Sequence, residues 1–177
     1  MASNMAYNIP SKINSFNVYK DGTKLVGISD EVTLPDFESL TETLSGPGIL
    51  GEVDDPTLGH FQSMEMEIPF RQMDKDLFIL SDDISSVTVT LRGSIQYTVN
   101  DTGATAFKPM RVVVRGKNKG ITGGKAKQGT GTGSSIKLEL LYILIEIDNV
   151  TEIELDKLNF VYKVHGKDLL EKVRKMC

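Results

Sequence analysis

Most of this chain alternates apolar and polar residues with period two, the pattern of strands with one face buried. The clearest stretch is "SVTVTLRGSIQYTVN". There Val87, Val89, Leu91, Ile95, Tyr97 and Val99 fall on one face, and Thr88, Thr90, Arg92, Ser94, Gln96 and Thr98 on the other. Gly93 interrupts the apolar face and marks a bulge or a bend. "NDTG" at 100–103 supplies turn chemistry, since Asn, Asp and Gly tolerate left-handed backbone. A return strand is expected over roughly 104–115. Pro109 lacks a ladder donor, so the expectation is an edge strand or one bulged there. A second hairpin runs from Ile136 to Ile147, turns at Asp148-Asn149 and returns over Val150–Val164. Its Leu140–Ile145 run is apolar on both faces, which predicts burial on both, by other layers or other subunits.

An N-terminal hairpin is predicted from "INSFNVYK", the turn Asp21-Gly22 and "TKLVGISDEVTL". Residues 36–70 then read as two long arms around Ser45–Gly48, where proline between glycines marks a turn. With little continuous apolar pattern, they predict a projection beyond the core. Helices are few. Asp74–Leu80 predicts one short helix capped by Asp74. Gly166–Met176 predicts a better one, with Leu169, Val173 and Met176 on one face and the charges arranged to suit the helix dipole. The fold class is therefore all-β with one or two short helices and a long projecting hairpin. No repeat or second domain interrupts it, so residues 1–177 are expected to form one domain.

Charge sharpens this picture. The net formal charge of −4 over 177 residues does not favour nucleic acid or an anionic membrane as partner. Yet acids and bases are segregated. Between Leu25 and Phe70 stand ten acids and no lysine or arginine; between Thr102 and Leu138 stand eight bases and no acid. Runs like these form solvated faces or, in a self-complementary molecule, matching patches on successive copies; head-to-tail contacts of that kind build rings or filaments. The single cysteine, Cys177, fits a reducing compartment. The opening residues lack a signal-peptide core, and the longest apolar run is far short of the ~20 residues that span a bilayer. The expectation is a soluble protein made in the cytoplasm.

Chemistry finds few candidates. "GKNKGITGGKAKQGTGTGSS", Gly116–Ser135, holds seven glycines, four lysines and no acid, and invites a phosphate. A phosphate loop needs G-x-x-x-x-G-K-[ST]. Here Ala126 follows Gly124-Lys125, and Lys119 stands where the first glycine belongs. The segment reads instead as a mobile basic connection between strands, kept adaptable by glycine. His60 and His165 stand in no metal-ligand spacing, and no nucleophile elbow is present. Glu65 and Glu67 share a strand face, an arrangement met more often on solvated or pore-facing sheets than in acid–base catalysis. No catalytic residue, cofactor or metal is expected. A β-sandwich binding module for nucleic acid or carbohydrate is the alternative reading. It is weakened by the absence of tryptophan and of aromatics interleaved with the bases.

Taken in order, "IPSKINSFNVYKDG", "EVTLPDFES", "SMEMEI", "LRGSIQYTVNDTGA", "VVVRGKNKGITGGKAKQG" and "NFVYKVHGKDLLEKVRK" resemble the major tail tube protein family of contractile phage tails, which includes the tubes of R-type bacteriocins. The resemblance covers about Ile9 to Met176. It implies a structural subunit built of two packed antiparallel sheets, a sandwich or partly open barrel. Six copies form a ring, rings stack helically into a hollow tube, and one sheet of each copy joins a continuous β-barrel around the lumen. Hairpins and termini reach the next ring. It also implies a surrounding contractile sheath, baseplate or initiator proteins, a tape-measure protein in the lumen during assembly, and DNA or ions as cargo. The location implied is the bacterial host cytoplasm and then the virion tail or bacteriocin particle. On this basis Glu38, Glu42, Glu65 and Glu67 are expected to face the lumen. Lys117, Lys119, Lys125, Lys127, Asp54 and Asp55 are expected to meet a neighbouring subunit or the sheath.

Overall fold

The computed structural model describes residues 8–82 and 84–177; the first residues of the stretch read above for a leader lie outside these. The chain is mostly β, with two antiparallel sheets, two short helices and no closed barrel among the described residues.

The larger sheet has nine strands. Strand β1 (Ile9–Lys20) turns through Asp21 and Gly22, both at positive φ, into the two-residue β2 (Thr23–Lys24). β6 (Val87–Thr98) and β7 (Thr105–Thr122) form the long central hairpin. β8 (Ser134–Ile147) follows, and a tight turn with Asp148 and Asn149 at positive φ leads to β9 (Val150–Asp156). With β10 (Val161–Val164) and β11 (Lys167–Asp168) closing the chain's strands, the spatial order is β11-β10-β9-β8-β7-β6-β1-β2, with β5 (Glu65–Phe70) beside the first half of β8. One contiguous core fills its inner face, including Met66, Ile68, Val89, Val114, Ile136 and Leu138, all inaccessible to solvent. Helix α1 (Lys75–Ile79) adds Leu77, and Asp74 caps it by accepting from the Lys75 N–H. The smaller sheet is β3 (Ser39–Leu44) with β4 (Val53–Phe61), and it projects as a hairpin.

Several sequence expectations are corrected. Gly93 makes no bulge: it pairs in step with Met110 and Phe16, and the register shifts lie on β1, at Ser11 and Asn14. Pro109 lies on a central strand, between β6 and β8. Its carbonyl accepts from Asp148 N–H, and a strand residue's N and C=O point the same way. Its nitrogen therefore faces the β8 side just beyond the last ladder pair, Met110–Ile147, where no donor is missed.

Within one chain the apolar run Leu140–Ile145 is not buried on both faces. Gly116 pairs with Leu140 and Arg115 with Tyr142, so Leu141 is an extra residue, a bulge. It shifts the inward phase from Leu138 and Leu140 to Ile143. A bulge flips the alternation, and two phases overlaid read as one doubly apolar run.

The return over Val150–Val164 is two strands. Asp156 accepts from the Leu158 and Asn159 N–H groups and from Asn159 Nδ2. This turn ends β9, and β10 (Val161–Val164) folds back on it. A further turn at His165 and Gly166, φ 48° and 72°, starts β11 (Lys167–Asp168). The expected C-terminal helix over 166–177 therefore shrinks to α2 (Glu171–Arg174). Leu170, not the Leu169–Val173–Met176 stripe, is its buried anchor.

Candidate assembly surfaces

The projecting region is narrower than 36–70. β5 belongs to the body: Met64, Met66, Ile68 and Phe70 are buried, while Glu65 and Glu67 point away from the core. The arm proper runs from Glu38 to Gln62, whose backbone N–H donates to the Glu38 carbonyl. Within it nearly every side chain is exposed. Leu40, Leu44, Ile49, Val53 and Leu58 are each more than 40 % accessible, and Leu50 at the tip is fully so. Glu42 stands opposite Asp55, a like-charged pair that no cation within the arm relieves. Asp54 accepts from the Thr43 hydroxyl across the hairpin at 2.7 Å. A two-stranded ribbon open on both faces is marginal on its own.

Its root, by contrast, is fixed. Phe61 packs edge-on to Tyr162 with centroids 5.1 Å apart, and His60 sits edge-on to Phe160 at 6.1 Å. Lys157 Nζ donates to the Gln62 carbonyl at 2.9 Å. Glu139, on β8, accepts from Ser63 Oγ at 2.6 Å, from Met64 N–H at 3.3 Å and from Lys119 Nζ at 3.4 Å. Burial pushes the Glu139 carboxyl up, but Ser63, Met64 and Lys119 outweigh it and hold the group below its ordinary value. Lys119 also donates to Glu65. That bond, with the one to Glu139, raises the ammonium above its usual range.

The segment 116–135 is only partly a loop. Gly116–Thr122 completes β7 and Ser134 begins β8, so the connection is 123–133. Hydrogen bonds tie its two ends to each other and to Met73. Lys125 N–H donates to the Thr132 carbonyl at 2.8 Å, Met73 N–H to Thr132 Oγ1 at 2.9 Å and Ser134 Oγ to the Gly123 carbonyl at 2.9 Å. Two of its glycines, Gly124 and Gly131, serve close approach. A Cβ on Gly124, whose φ is +73°, would overlap the Thr132 carbonyl, and one on Gly131 the carbonyl of Arg71.

The structure thus brings together some of the singled-out residues and separates others. Glu65 and Glu67 share the outer face of β5, as the alternation predicts. Each is engaged within its own chain: Glu65 with Lys119, Glu67 with Ser135 Oγ at 2.7 Å and with Lys137 at 4.0 Å. Glu38, Glu42, Asp54 and Asp55 lie apart from them on the arm, exposed. Lys117, Lys125 and Lys127 are exposed, the last two on the connection beyond the sheet. Sequence reasoning missed Ser63, Glu139 and Lys157. Their signal was weak: Glu139 alternates with Lys137 on β8, but its partners lie on three other segments.

No helix among the described residues is long and apolar enough to cross a membrane. No group of three or more described His, Cys, Asp or Glu residues is placed to hold a metal. The surfaces at hand suit protein contact. The profile of the family described as Phage tail tube protein FII matches residues 10–176. The tail tube protein of Escherichia phage P2 is 31 % identical over 174 residues, covering 94 % of this chain and 96 % of its own length. The major tail tube protein of Serratia phage KSP20 is 30 % identical over 161 residues, with 91 % of each chain covered.

Proposed function

Since the chain belongs to the phage tail tube protein FII family and is a structural subunit of a phage tail tube, we propose that it works by forming hexameric rings. Those rings stack helically into a conduit that a contracting sheath drives through the target envelope and that passes DNA. Baseplate or initiator proteins start the tube, and a tape-measure protein occupies its lumen during assembly. The subunit is made in the host cytoplasm and resides in the virion tail.

The observation that carries this reading is the contrast between a rooted, polar-locked base and an arm exposed on both faces. A fixed root sets the direction of the arm, and its unpartnered apolar residues need a cover that the same chain does not supply. The arm and the sites open to receive it are different surfaces, so contacts between them are heterologous and propagate. Lys117, Lys125 and Lys127 are the cations available to a neighbour's acids, Asp54 and Asp55 among them, because Lys119 already serves Glu65 and Glu139. In the lumen, Glu38 and Glu42 would present more field than Glu65 and Glu67, whose charge is offset by nearby lysines; like charge keeps DNA from sticking.

Electron microscopy of the concentrated protein tests the reading. Hollow tubes or stacked six-fold rings support it, and a map of the tube locates the four glutamates. Persistent monomers in the presence of baseplate proteins would overturn it.

A further inference from the structure

The base of the arm carries an irregularity of its own. Ser39 pairs with Phe61 and Thr41 with Pro56, so Leu40 alone on β3 stands against residues 57–60 of β4. Those residues leave the ladder as a wide bulge, and Gly59 within it takes a φ of +79°. Beyond the bulge, the pairs from Thr41–Pro56 to Leu44–Val53 are exposed. A bulge interrupts the ladder and bends its strand. Residues 57–60 are therefore where the arm takes its direction.

What meets the bulge comes from the C-terminal segment. A Cβ placed on Gly59 would stand 2.7 Å from both terminal methyls of Leu170, so backbone and side chain touch there with no room between them. Leu170 is 1 % exposed yet stands outside the contiguous core, and the bulge supplies part of its cover. His60, the next residue of the bulge, meets the Phe160 ring.

Leu170 and Phe160 are in turn held by one side chain. Arg174 donates to the Phe160 carbonyl at 2.9 Å and pairs with Asp168. Asp168 Oδ1 accepts from the Leu170 N–H at 3.0 Å. The Leu169 N–H donates to the Tyr162 carbonyl at 2.9 Å, which ties this turn to β10. A single guanidinium thus fixes both residues that touch the bulge.

We propose that Leu170 is the positioning residue of the arm. Seated on Gly59 and latched by Arg174, it sets the angle at which the bulge lets the arm leave the body. Two segments far apart in sequence then loosen together, the arm base and residues 168–174, without opening the β5–β8 core. The coupling belongs to the single chain and does not require the tube reading. Within that reading, it makes the direction of the arm depend on the C-terminal segment being in place.

Amide exchange and a tip-to-body distance test this in the full-length monomer. Leu170→Ala removes the seat. The Gln62 and Leu169 amides, one on each side of the contact, should then exchange about tenfold faster or more, while those of β6, β7 and β8 keep their rates. With spin labels at Leu50→Cys and Lys75→Cys in a Cys177→Ser background, the distance distribution should widen. Arg174→Gln, at a partly exposed position, should act in the same direction to a smaller degree. Leu170→Met, which fills the same seat, should match the wild type in both readouts. A distribution as narrow in Leu170→Ala as in the wild type would overturn the inference. So would equal acceleration throughout β6–β8 in both variants, which would make Leu170 one more core residue. Neither outcome bears on the tube reading, since no assembly enters the measurement.

Discussion

The body and the arm follow opposite rules of construction. In the body, β5, β6, β7 and β8 bury an unbroken set of aliphatic side chains, and no described buried polar side-chain atom lacks a hydrogen-bond partner. In the arm, six large apolar side chains stand open to solvent, and two acids face each other across the hairpin. Each arrangement makes sense for a different equilibrium. The body is finished within one chain; the arm is left open by its own chain. Stability and assembly should therefore separate by region, and substitutions can be chosen to break that separation.

The largest effect should come from the body. Leu138→Ala removes a side chain with no solvent exposure from the middle of the β5–β8 layer. It should cost about 2–5 kcal/mol of unfolding free energy, read as a lower denaturant midpoint with an unchanged slope. The matched arm substitution, Leu44→Ala, should change monomer stability by less than about 0.5 kcal/mol. Equal losses at the two positions would show that the arm is part of the cooperative unit.

Next comes the connection at 123–133. Reversing Lys125 and Lys127 together to glutamate should leave the thermal midpoint unchanged, since neither side chain supports the ties that hold the connection. Assembly should weaken, and more so at low salt, where repulsion from a neighbour's acids is least screened. Tubes of normal yield from this double variant, by sedimentation and microscopy, would reduce the two lysines to a solvated edge.

A smaller effect belongs to the root, where the two regions meet. The Glu139 carboxyl is held below its ordinary value of 4.5 by Ser63, Met64 and Lys119. A depressed carboxylate stabilises the fold above the ordinary value and ceases to do so as pH falls through the folded value. Glu139→Gln should therefore cost about 1–2 kcal/mol at neutral pH, toward the low end because the side chain is 30 % exposed. The cost should shrink steadily below about pH 4.5. A penalty that persists at pH 3 would mean that shape, not charge, carries the role of Glu139.

The same division governs what could be read in the linear chain. The body was legible where alternation was clean. Val87, Val89 and Leu91 face inward as expected, and the turns at Asp21-Gly22, Asn100–Gly103 and Asp148-Asn149 close the expected hairpins. It was illegible where one residue changed the phase. The bulge at Leu141 hides inside an aliphatic run because every residue there is apolar, so the shift leaves no polar mark. The C-terminal segment misled for another reason. Its helical spacing is real, but Asp168 is drawn off to receive Arg174, and residues 167–168 pair with β10. Tertiary pairing overrides weak propensity. The arm was legible as a projection because it lacks a core pattern, yet its root was not. Ser63, Glu139, Lys119 and Lys157 come from separate segments, and only the folded chain shows that they meet. Nor does glycine content alone show where backbone approaches backbone; the clash a Cβ would make at Gly124 does.

The smallest effect sits within the arm itself. Glu42 and Asp55 are directly opposite across the hairpin, and like charges so placed oppose pairing by a few tenths of a kcal/mol. Asp55→Thr removes the repulsion and adds a residue that favours strands. Amide exchange of β3 and β4 in the monomer should slow by about two- to threefold, the population change that such an energy implies. The body, already closed, should show no change in protection. If the isolated arm tightens and tube formation improves with it, the acids oppose order before docking and the arm orders on contact. If the arm tightens and assembly weakens, Asp55 is used by the neighbour, and the cost it imposes on the monomer is repaid across the interface.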